Sequence, residues 1–590
     1  VGNAIENAVN NLEAATSRGG IFISNTGNLN IGGVTGAIAG VQATTSGNVE
    51  LINNGSIILD GTSVEGIRAS SGNVLVQAIG AAADVETHNG SGDAIDSNNG
   101  TVTVSAGRDI LLGSAATDRF GDIESNGAMV LTAGRDIIVD EATFIDVFGP
   151  GNSFTGTAGR HFSLLASDAS PGSSLYTESG PITITAGNNT VGGTFTVDAA
   201  GTGVDANGNG EAGAAITINA DDMVINNPID GGTGIVTLRQ TNNPRTITLG
   251  TSPGGTLGLT DAELNLVTTT TRLVVGRTDN TGNIQSTGLV DQAGSGWTTL
   301  WLLTGGQIQD IIASAVSQLT VTNLSMQAAA GIGVPGGGPS IDMDVDVTNL
   351  DVSNSTSGAI IVDDHAGGVT LLDITGDGFS VTGVGGGGFI LARSPLTIAS
   401  DAITTGGMTY AAADSAAAGD DLTVNNGVTV QDDTALTLDA GDNLILNDTS
   451  TVVVTGVAST LSLNVDEDDA DAGVGGIANL FGTVNTGGQP IFVGGAGDID
   501  TFNVDSNGAA AGGTVDDVLD NIQFIGGGAA DILNLEDSSD PVADVVNISD
   551  GGVGIGTISG LGLANFTFNS IVTVNIQLPN LAAPGDGDDI

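Results

Sequence analysis

The sequence predicts an all-β protein built as a parallel β-solenoid. A short strand, an Ala-Gly corner and a second strand recur in four segments: Thr101–Ile110, Met129–Ile138, Phe154–Ser163 and Pro181–Thr190. Their Ala-Gly pairs recur at the near-regular interval that is typical of stacked coils. A unit of this size cannot bury its apolar face alone, so successive units must stack. Glycine is abundant, at 94 of 590 residues, and aromatic content is only 3%, which suits a long, thin aliphatic core with many turns.

Residues 1–100 carry a turn signal before each apolar run. The glycines of these signals are Gly27, Gly47, Gly72 and Gly100. Glycine supplies the positive φ that tight corners need. Between the turns, residues 49–61 alternate as strand, turn and strand, with one side of each strand facing inward. The predicted coils therefore have roughly 20–28 residues.

Residues 101–250 hold the coils with the Ala-Gly-Arg-Asp corner. We expect residues 198–215 to be an insertion, after which residues 215–225 resume the strand pattern. Later corners, at residues 418–422 and 440–444, keep Ala-Gly but have Asp in place of Arg. The motif is therefore predicted to serve the corner and the strand after it, and not the arginine. Residues 306–321 fit either a helical turn or a strand.

A longer repeat divides the chain. Residues 11–31 match residues 349–371 at an offset of 338, which predicts one β-helix unit over 1–338 and a partial second unit over 339–489. From 490 to 590 the texture changes to a distinct acidic, Gly/Asp-rich β region, in which Gly494–Asp505 is echoed by Gly527–Asp537. The final segment looks like the opening of another copy, so we expect the natural chain to continue beyond Ile590.

The charge is strongly one-sided. The net charge is −56, lysine is absent, and residues 394–590 hold 29 Asp and Glu with no basic residue. Such a field repels nucleic acid and anionic membranes and attracts cations. The simpler interpretation is solubility, or adaptation to a salty medium in which charges are screened. Cysteine is absent, which excludes disulfides, and no apolar run is long enough for a membrane-spanning helix.

One candidate metal site lies in the expected insertion. Asp205, Asn207 and Asn209 alternate as in an oxygen-rich Ca²⁺ loop and are followed by Gly and Glu211. The twelfth position is Ile216 where an EF-hand has glutamate, so the prediction is a simple Ca²⁺ loop. A solvated insertion without metal is the alternative.

A second candidate is the strand segment 341–347. Asp342, Asp344 and Asp346 share one side of the strand, where three like charges must be solvated or bridged by a cation. Both interpretations stay open. The acidic loop 465–471 offers the same two interpretations, and residues 585–590 match only part of a nonapeptide Ca²⁺ motif.

Catalysis is not expected. Polysaccharide lyases need a basic residue, and there is no lysine, while among 67 acidic residues no pair stands out for glycoside hydrolysis. His88, His161 and His365 are isolated in sequence, and turn or surface roles are expected for them.

Several strings of the chain carry a family resemblance. GNLNI, SGNV, TVTVSAGRDI, LTAGRDI and LTLDAGDNLIL resemble the repeats of filamentous-haemagglutinin-like bacterial surface exoproteins, over roughly residues 10–460. The resemblance implies a right-handed parallel β-helix that is secreted and displayed on the bacterial cell surface, as a fragment of a larger chain. Residues 490–590 are similar to acidic C-terminal repeats of long bacterial surface proteins.

Together these features predict an extracellular structural protein. It is expected to self-associate into a surface layer, fibre or extracellular matrix, with Ca²⁺ as a possible aid, and without nucleic acid or membrane insertion. The alternative is a surface adhesin that binds a glycan or a host or surface partner. A polysaccharide-processing enzyme is the third hypothesis.

Overall fold

A computed structural model describes most of the chain. Its described residues are all those outside 1–3, 36–37, 61–65, 89–92, 114–120, 141–142, 166–172, 189–190, 199–202, 209–211, 313–315, 334–341, 366, 467–472, 496, 508–511, 529, 542–544 and 580–590. Within them the protein is almost entirely β, which confirms the predicted class. The α-helix Asp261–Leu264 is a single turn, closed by a capping box between Thr260 and Glu263. No described helix has the length and apolar character needed to cross a membrane.

The chain forms two compact units. Unit one comprises Val1–Gly282 and Gln292–Trp301, and unit two comprises Asn283–Asp291 and Leu302–Ile590. This division lies near residues 282–302, whereas the sequence repeat places a boundary at 338. The repeat units therefore stay a prediction.

Unit one contains three sheets of parallel strands, and the chain visits them in turn. The first sheet holds Ile5–Asn7, Ile21–Thr26, Val49–Asn54, Val74–Ile79, Val102–Ala106, Met129–Ala133, Phe154–Ala158, Ile182–Ala186, Ile216–Asn219, Val236–Arg239 and Leu273–Arg277. The second sheet holds Asn11–Leu12, Leu29–Ile31, Ile57–Asp60, Val85–His88, Ile110–Leu112, Ile137–Val139, Phe162–Leu164, Thr194–Val197 and Asp222–Ile225. The third sheet holds Ala14–Arg18, Val41–Ser46, Ile67–Ala69, Ile95–Ser97, Ile123–Ser125, Phe144–Val147, Ser174–Thr177, Gly203–Asp205, Ile229–Asp230 and Val267–Thr268. Two further strands of the unit, Ile247–Gly250 and Leu257–Thr260, pair in parallel.

In-register pairing places similar side chains of successive coils next to one another. In the first sheet Val76 pairs with Val104 of the next coil, and Val104 pairs in turn with Leu131 of the coil after that. All three side chains are fully buried, and the residues between them along each strand face outward. Alternation along the strand and similarity across strands together build one continuous apolar core. This arrangement is consistent with a parallel β-solenoid.

The Ala-Gly corners are packed backbone on backbone. A Cβ at Gly134 would lie 2.2 Å from the carbonyl oxygen of Gly107, and a Cβ at Gly107 would lie 2.0 Å from that of Gly80. Neither Gly107 nor Gly134 has a positive φ. Glycine is needed at Gly107 and Gly134 because successive coils approach closely, whereas Gly187 and Gly419 of other Ala-Gly corners have a positive φ.

Unit two also contains three series of parallel strands. One series holds Ile361–Asp364, Gly388–Ala392, Met408–Ala412, Ala435–Ala440, Thr460–Asn464, Ile491–Gly494, Ile522–Ile525 and Phe566–Asn569. A second holds Val369–Leu371, Leu396–Ile398, Leu422–Val424, Leu444–Leu446, Ile477–Leu480, Thr501–Val504, Asp531–Glu536 and Ile571–Gln577. The third holds Phe379–Gly383, Asp401–Ile403, Thr429–Asp432, Thr451–Val454 and Thr483–Asn485.

Other strands of this part of the chain either precede the three series or form a hairpin before Phe566–Asn569. They are Ile284–Ser286, Val290–Asp291, Ile308–Asp310, Leu319–Ala328, Met343–Asn354, Asn547–Gly552 and Ile555–Ser559, together with Thr299–Thr304, which contains residues of both units. Asn547–Gly552, Ile555–Ser559 and Phe566–Asn569 pair antiparallel in succession.

The long strand Met343–Asn354 starts all three series. Its beginning pairs with Ile361–Asp364, its middle with Val369–Leu371 and its end with Phe379–Gly383. One continuous strand therefore sets the register of three. The described residues of the acidic segment, 342–347, lie at its start, which places Asp344 directly beside the next coil.

Candidate functional site

The arginines of the Ala-Gly-Arg-Asp corners form a ladder of ion pairs. Each pairs with an aspartate one coil earlier: Arg108 with Asp84, Arg135 with Asp109 and Arg160 with Asp136. The Nε–Oδ1 distances are 2.7, 2.8 and 2.9 Å. The three carboxylates are buried and the arginines are about half exposed. The expectation that the arginine is incidental to the motif is therefore wrong, since it neutralises a buried charge.

In the later corners an aspartate stands at the position that arginine occupies in the earlier ones. Asp442 accepts hydrogen bonds from the backbone N–H groups of Gly419 and Asp420, the latter at 2.9 Å, and no arginine takes part. In the earlier corners Asp109 also accepts a backbone N–H, from Asp136 at 3.1 Å. The carboxylate that accepts a neighbouring coil's backbone N–H is thus common to both kinds of corner.

A stripe of carboxylates runs along the third sheet of unit one. Successive register partners along this line are Arg68, Asp96, Glu124, Asp146, Tyr176, Asp205 and Asp230. We call its five acidic members, Asp96, Glu124, Asp146, Asp205 and Asp230, the acidic stripe. Parallel strands are spaced about 4.8 Å apart, so neighbouring carboxylates in the stripe repel one another. Arg68 caps one end through a 3.1 Å contact with Asp96.

Burial and crowding raise the pKa values in the middle of the stripe. Desolvation, reinforced by the charges of Asp93 and Asp146, raises the pKa of Glu124 to about 7. Desolvation also raises the pKa of Asp146 to about 6, with a contribution from Asp93. The pKa of Asp122, beside the stripe, rises to about 6 for the same first reason. These carboxyl groups therefore gain and lose their protons at a pH close to neutrality rather than near 4.

Aromatic rings lie within the acidic stripe. Tyr176 occupies the position between Asp146 and Asp205, and its ring centroid is 6.0 Å from that of Phe148. Both rings are partly exposed. An aromatic surface beside carboxylates suits a polyhydroxylated ligand, because the rings stack on its apolar face and the carboxylates accept its hydroxyl hydrogens.

The predicted Ca²⁺ loop is only partly described. Asp205 ends the strand Gly203–Asp205, so the segment expected to be an insertion contributes a strand to the third sheet. The Oδ1 of Asp205 accepts the backbone N–H of Asn207 at 2.7 Å, and burial raises the pKa of Asp205. Asn209 and Glu211 lie outside the described residues. The four predicted ligands are therefore not seen as one group, and Asp205 belongs to the acidic stripe.

In unit two, Asp344 meets two residues of the next coil. Asp344 and Asp363 are register partners on adjacent strands, and His365 lies two residues after Asp363, just beyond the end of the strand Ile361–Asp364. The Nε2 of His365 is 2.8 Å from Oδ1 of Asp344 and 3.8 Å from Oδ2 of Asp363. One ligand atom from each residue lies within 4.8 Å of the other two. We call these three residues the Asp-His cluster.

The other two predicted ligands of this segment are Asp342 and Asp346. Asp342 and Asp346 are partly exposed, whereas Asp344 is only 2% exposed. A solvated outer face is therefore wrong for Asp344. Asp346 is the register partner of Thr320 and is not part of the Asp-His cluster. Asp310 lies nearby and is buried, and desolvation, with the charges of Asp344 and Asp342, raises its pKa to about 6.

Cationic groups offset part of this negative charge. Arg393, one coil further on, donates to Oδ2 of Asp363 at 2.9 Å. Burial raises the pKa of Asp363, against the opposing charges of Arg393 and His365. Burial also raises the pKa of Asp344, and the hydrogen bond from His365 opposes that rise.

Sequence reasoning missed Asp363 and His365. His365 is isolated in the sequence, but in the fold it faces Asp344 of the preceding coil. His88 contacts Glu86 at 3.0 Å, and Nδ1 of His161 accepts the backbone N–H of Thr194 at 3.2 Å. Of the acidic loop 465–471 only Val465 and Asp466 are described, and both are buried, while the rest of that loop and residues 585–590 lie outside the described residues.

The fold defines an all-β protein with stacked sheets of parallel strands. No protein-family model, curated protein or solved structure matches the chain. The likeness to filamentous-haemagglutinin-type repeats therefore rests on the quoted strings alone, and the function must be argued from the molecule itself.

Proposed function

We propose that this chain is an extracellular structural protein of the bacterial cell surface, a right-handed β-helix of about 20–28 residues per coil that assembles into a layer, fibre or matrix. The observation that carries the proposal is the in-register stacking of coils. Aliphatic side chains stack inward, as Val76, Val104 and Leu131 do, while buried aspartates join neighbouring coils through their backbone N–H groups. Most of the sequence contributes to the stacking of coils, as is expected of a scaffold.

We further propose that Ca²⁺ assists this scaffold. The acidic stripe supports the idea, because oxygen ligands repeated at strand spacing are what a hard divalent cation prefers. The net charge of −56 opposes close approach of two copies, so cations would be needed at any contact between them.

Assembly of the purified chain with and without Ca²⁺ tests the proposal. Light scattering and electron microscopy should reveal ordered assemblies in Ca²⁺ that dissolve on chelation and return when Ca²⁺ is restored. Mg²⁺ at the same ionic strength separates ligation from screening. Assemblies that persist after chelation would contradict the Ca²⁺ part of the proposal. A chain that stays monomeric in every condition would contradict the scaffold function itself.

Surface adhesion is the second candidate, favoured by the ring pair of Phe148 and Tyr176. If the protein binds a saccharide there, the isolated chain should bind an immobilised glycan saturably, and Tyr176→Ala should weaken that binding by about fivefold. Stacking contacts of this kind are worth about 1 kcal/mol, which supports a change of that order. Unchanged binding by the variant would place the ligand elsewhere.

A further inference from the structure

We propose that the Asp-His cluster is a binding site for a divalent transition-metal ion such as Zn²⁺. The site is formed by Asp344, Asp363 and His365. It differs in chemistry from the Ca²⁺ proposal above and does not depend on it.

The geometry of the three ligand atoms suits a small cation. Ligands at about 2.0–2.2 Å from one ion are about 3 to 3.5 Å from each other. The distances from Nε2 of His365 to the two carboxylate oxygens, 2.8 and 3.8 Å, bracket that range. Three protein ligands leave a position for water, as in open metal sites.

An unsatisfied oxygen points to a missing partner. Oδ1 of Asp363 is buried and has no hydrogen-bond partner among the described residues, although Asp363 is only 8% exposed. Oδ2 of Asp310, which is 1% exposed, is in the same condition. Buried carboxylate oxygens normally have partners, and a bound cation supplies one.

The local charge also favours a dication. The charges of Asp342 and Asp344 act on both Asp310 and Asp363. Against these four carboxylates stand Arg393 and, when protonated, His365. A net negative charge therefore remains in a largely buried place, and a divalent ion would neutralise it.

The imidazole selects the class of metal. Ca²⁺ takes six to eight oxygen ligands, whereas imidazole nitrogen suits Zn²⁺ and its neighbours in the first transition row. The alternative is a metal-free network in which a charged His365 bridges Asp344 and Asp363. That network and the metal site predict different behaviour on adding Zn²⁺.

The experiment uses the full chain with Zn²⁺ and Co²⁺ in a large excess of Ca²⁺, which occupies the exposed carboxylates. We expect one tightly bound ion per chain by calorimetry, and visible Co²⁺ absorption. His365→Gln should weaken binding by about tenfold or more, since even indirect contacts to ligands change affinity by about 10–100-fold. His88→Gln is the matched control, because His88 also faces a carboxylate, and it should leave binding unchanged.

Folding and ligation are separated by a second measurement on the unmodified chain. With three histidines in the sequence, ¹⁵N-labelled imidazoles give a simple spectrum in which Zn²⁺ should shift the His365 nitrogens selectively. Circular dichroism checks that His365→Gln and Asp344→Asn keep their β content. Equal metal binding by the His365 and His88 variants, loss of Zn²⁺ to Ca²⁺, or unmoved His365 resonances would overturn the site and leave the metal-free network.

Discussion

At the residue scale, aspartate is the residue that joins one coil to the next. Asp109 and Asp442 accept backbone N–H groups of neighbouring coils, and Asp351 accepts those of Ile374 and Thr375. All three aspartates are nearly inaccessible to solvent. Some of the acidic residues of this strongly negative chain therefore lie inside the fold, where they join coils, and not on a solvated surface.

The arginine ladder predicts the cost of losing one buried carboxylate. In Asp109→Asn, Arg135 loses its contacts with Asp109 and keeps only Asp136, at 3.3 Å, and one acceptor oxygen is replaced by a donor. Hydrogen bonds to charged groups contribute about 1.5–3 kcal/mol, so we expect a loss of that order in the free energy of unfolding. Local hydrogen exchange over 102–112 measures it. Asp279→Asn is the control, since Asp279 is 76% exposed and its pair with Arg277 should be worth less than about 1 kcal/mol.

Asp500 predicts a pH dependence of stability. Desolvation, partly opposed by the N–H of Gly476, raises its pKa to about 7, far above the value in an unfolded chain. The folded state thus holds a proton that the unfolded state releases, so this contribution to stability is present near pH 3 and is lost as the pH rises through 7. Each pKa unit corresponds to about 1.4 kcal/mol. We expect Asp500→Asn, followed by chemical unfolding from pH 4 to 8, to become more stable relative to the wild type as the pH rises.

Asp373 supplies the control of opposite sign. Burial alone would raise its pKa, but the N–H groups of Gly376, Gly378 and Asp377 outweigh burial and lower it. Asp373→Asn should therefore cost most stability near neutral pH and progressively less as the carboxylate becomes protonated in acid. Parallel slopes for the two variants would contradict both assignments.

At the scale of elements, the corner governs how coils stack. The strands flanking each corner pair in strict register, and the corner backbones come close enough that a side chain at Gly107 or Gly134 has no space. The glycine is thus part of the coil-to-coil contact, and the arginine beside it completes that contact by neutralising the aspartate of the preceding coil.

Adding one methyl group at a corner tests this close approach. In Gly134→Ala the new Cβ would lie 2.2 Å from the Gly107 carbonyl oxygen, so neighbouring coils must move apart. Overpacking of this kind costs about 1–3 kcal/mol, measured by thermal or chemical unfolding. Gly254→Ala is the matched control, because nothing lies within 4 Å of its Cβ and its φ is not positive. Equal stability of both variants would contradict the corner contact.

Much of the fold could be predicted from the sequence, because inward alternation and repeat spacing are local signals. Alternation placed Val102 and Val104 inside, and the Ala-Gly spacing anticipated the register of Val102 with Met129. The Asp-His cluster could not be found this way, since Asp344 and His365 meet only after a short turn whose length no local pattern specifies. The capping box of Thr260 and Glu263 is a local helix signal, and it closes the single helical turn Asp261–Leu264.

At the scale of the whole molecule, stability should behave as a sum of nearest-neighbour terms. Leu131→Ala removes a fully buried side chain of unit one and should cost about 2–5 kcal/mol. We expect hydrogen exchange to quicken most in Val102–Ala106 and Phe154–Ala158, which pair directly with the altered strand. Ile21–Thr26, several coils away, should change little. A uniform loss of protection across the unit would instead indicate global cooperativity.

The acidic stripe also gives unit one the character of a short polyelectrolyte. Two unit charges in water attract or repel with the thermal energy at about 7 Å, and carboxylates on adjacent parallel strands are closer than that, at about 4.8 Å. Counter-ions should therefore condense along Asp96, Glu124 and Asp146, with divalent ions displacing monovalent ones and releasing them to the solvent. The affinity of the stripe for cations would then be set as much by the salt of its surroundings as by any single side chain.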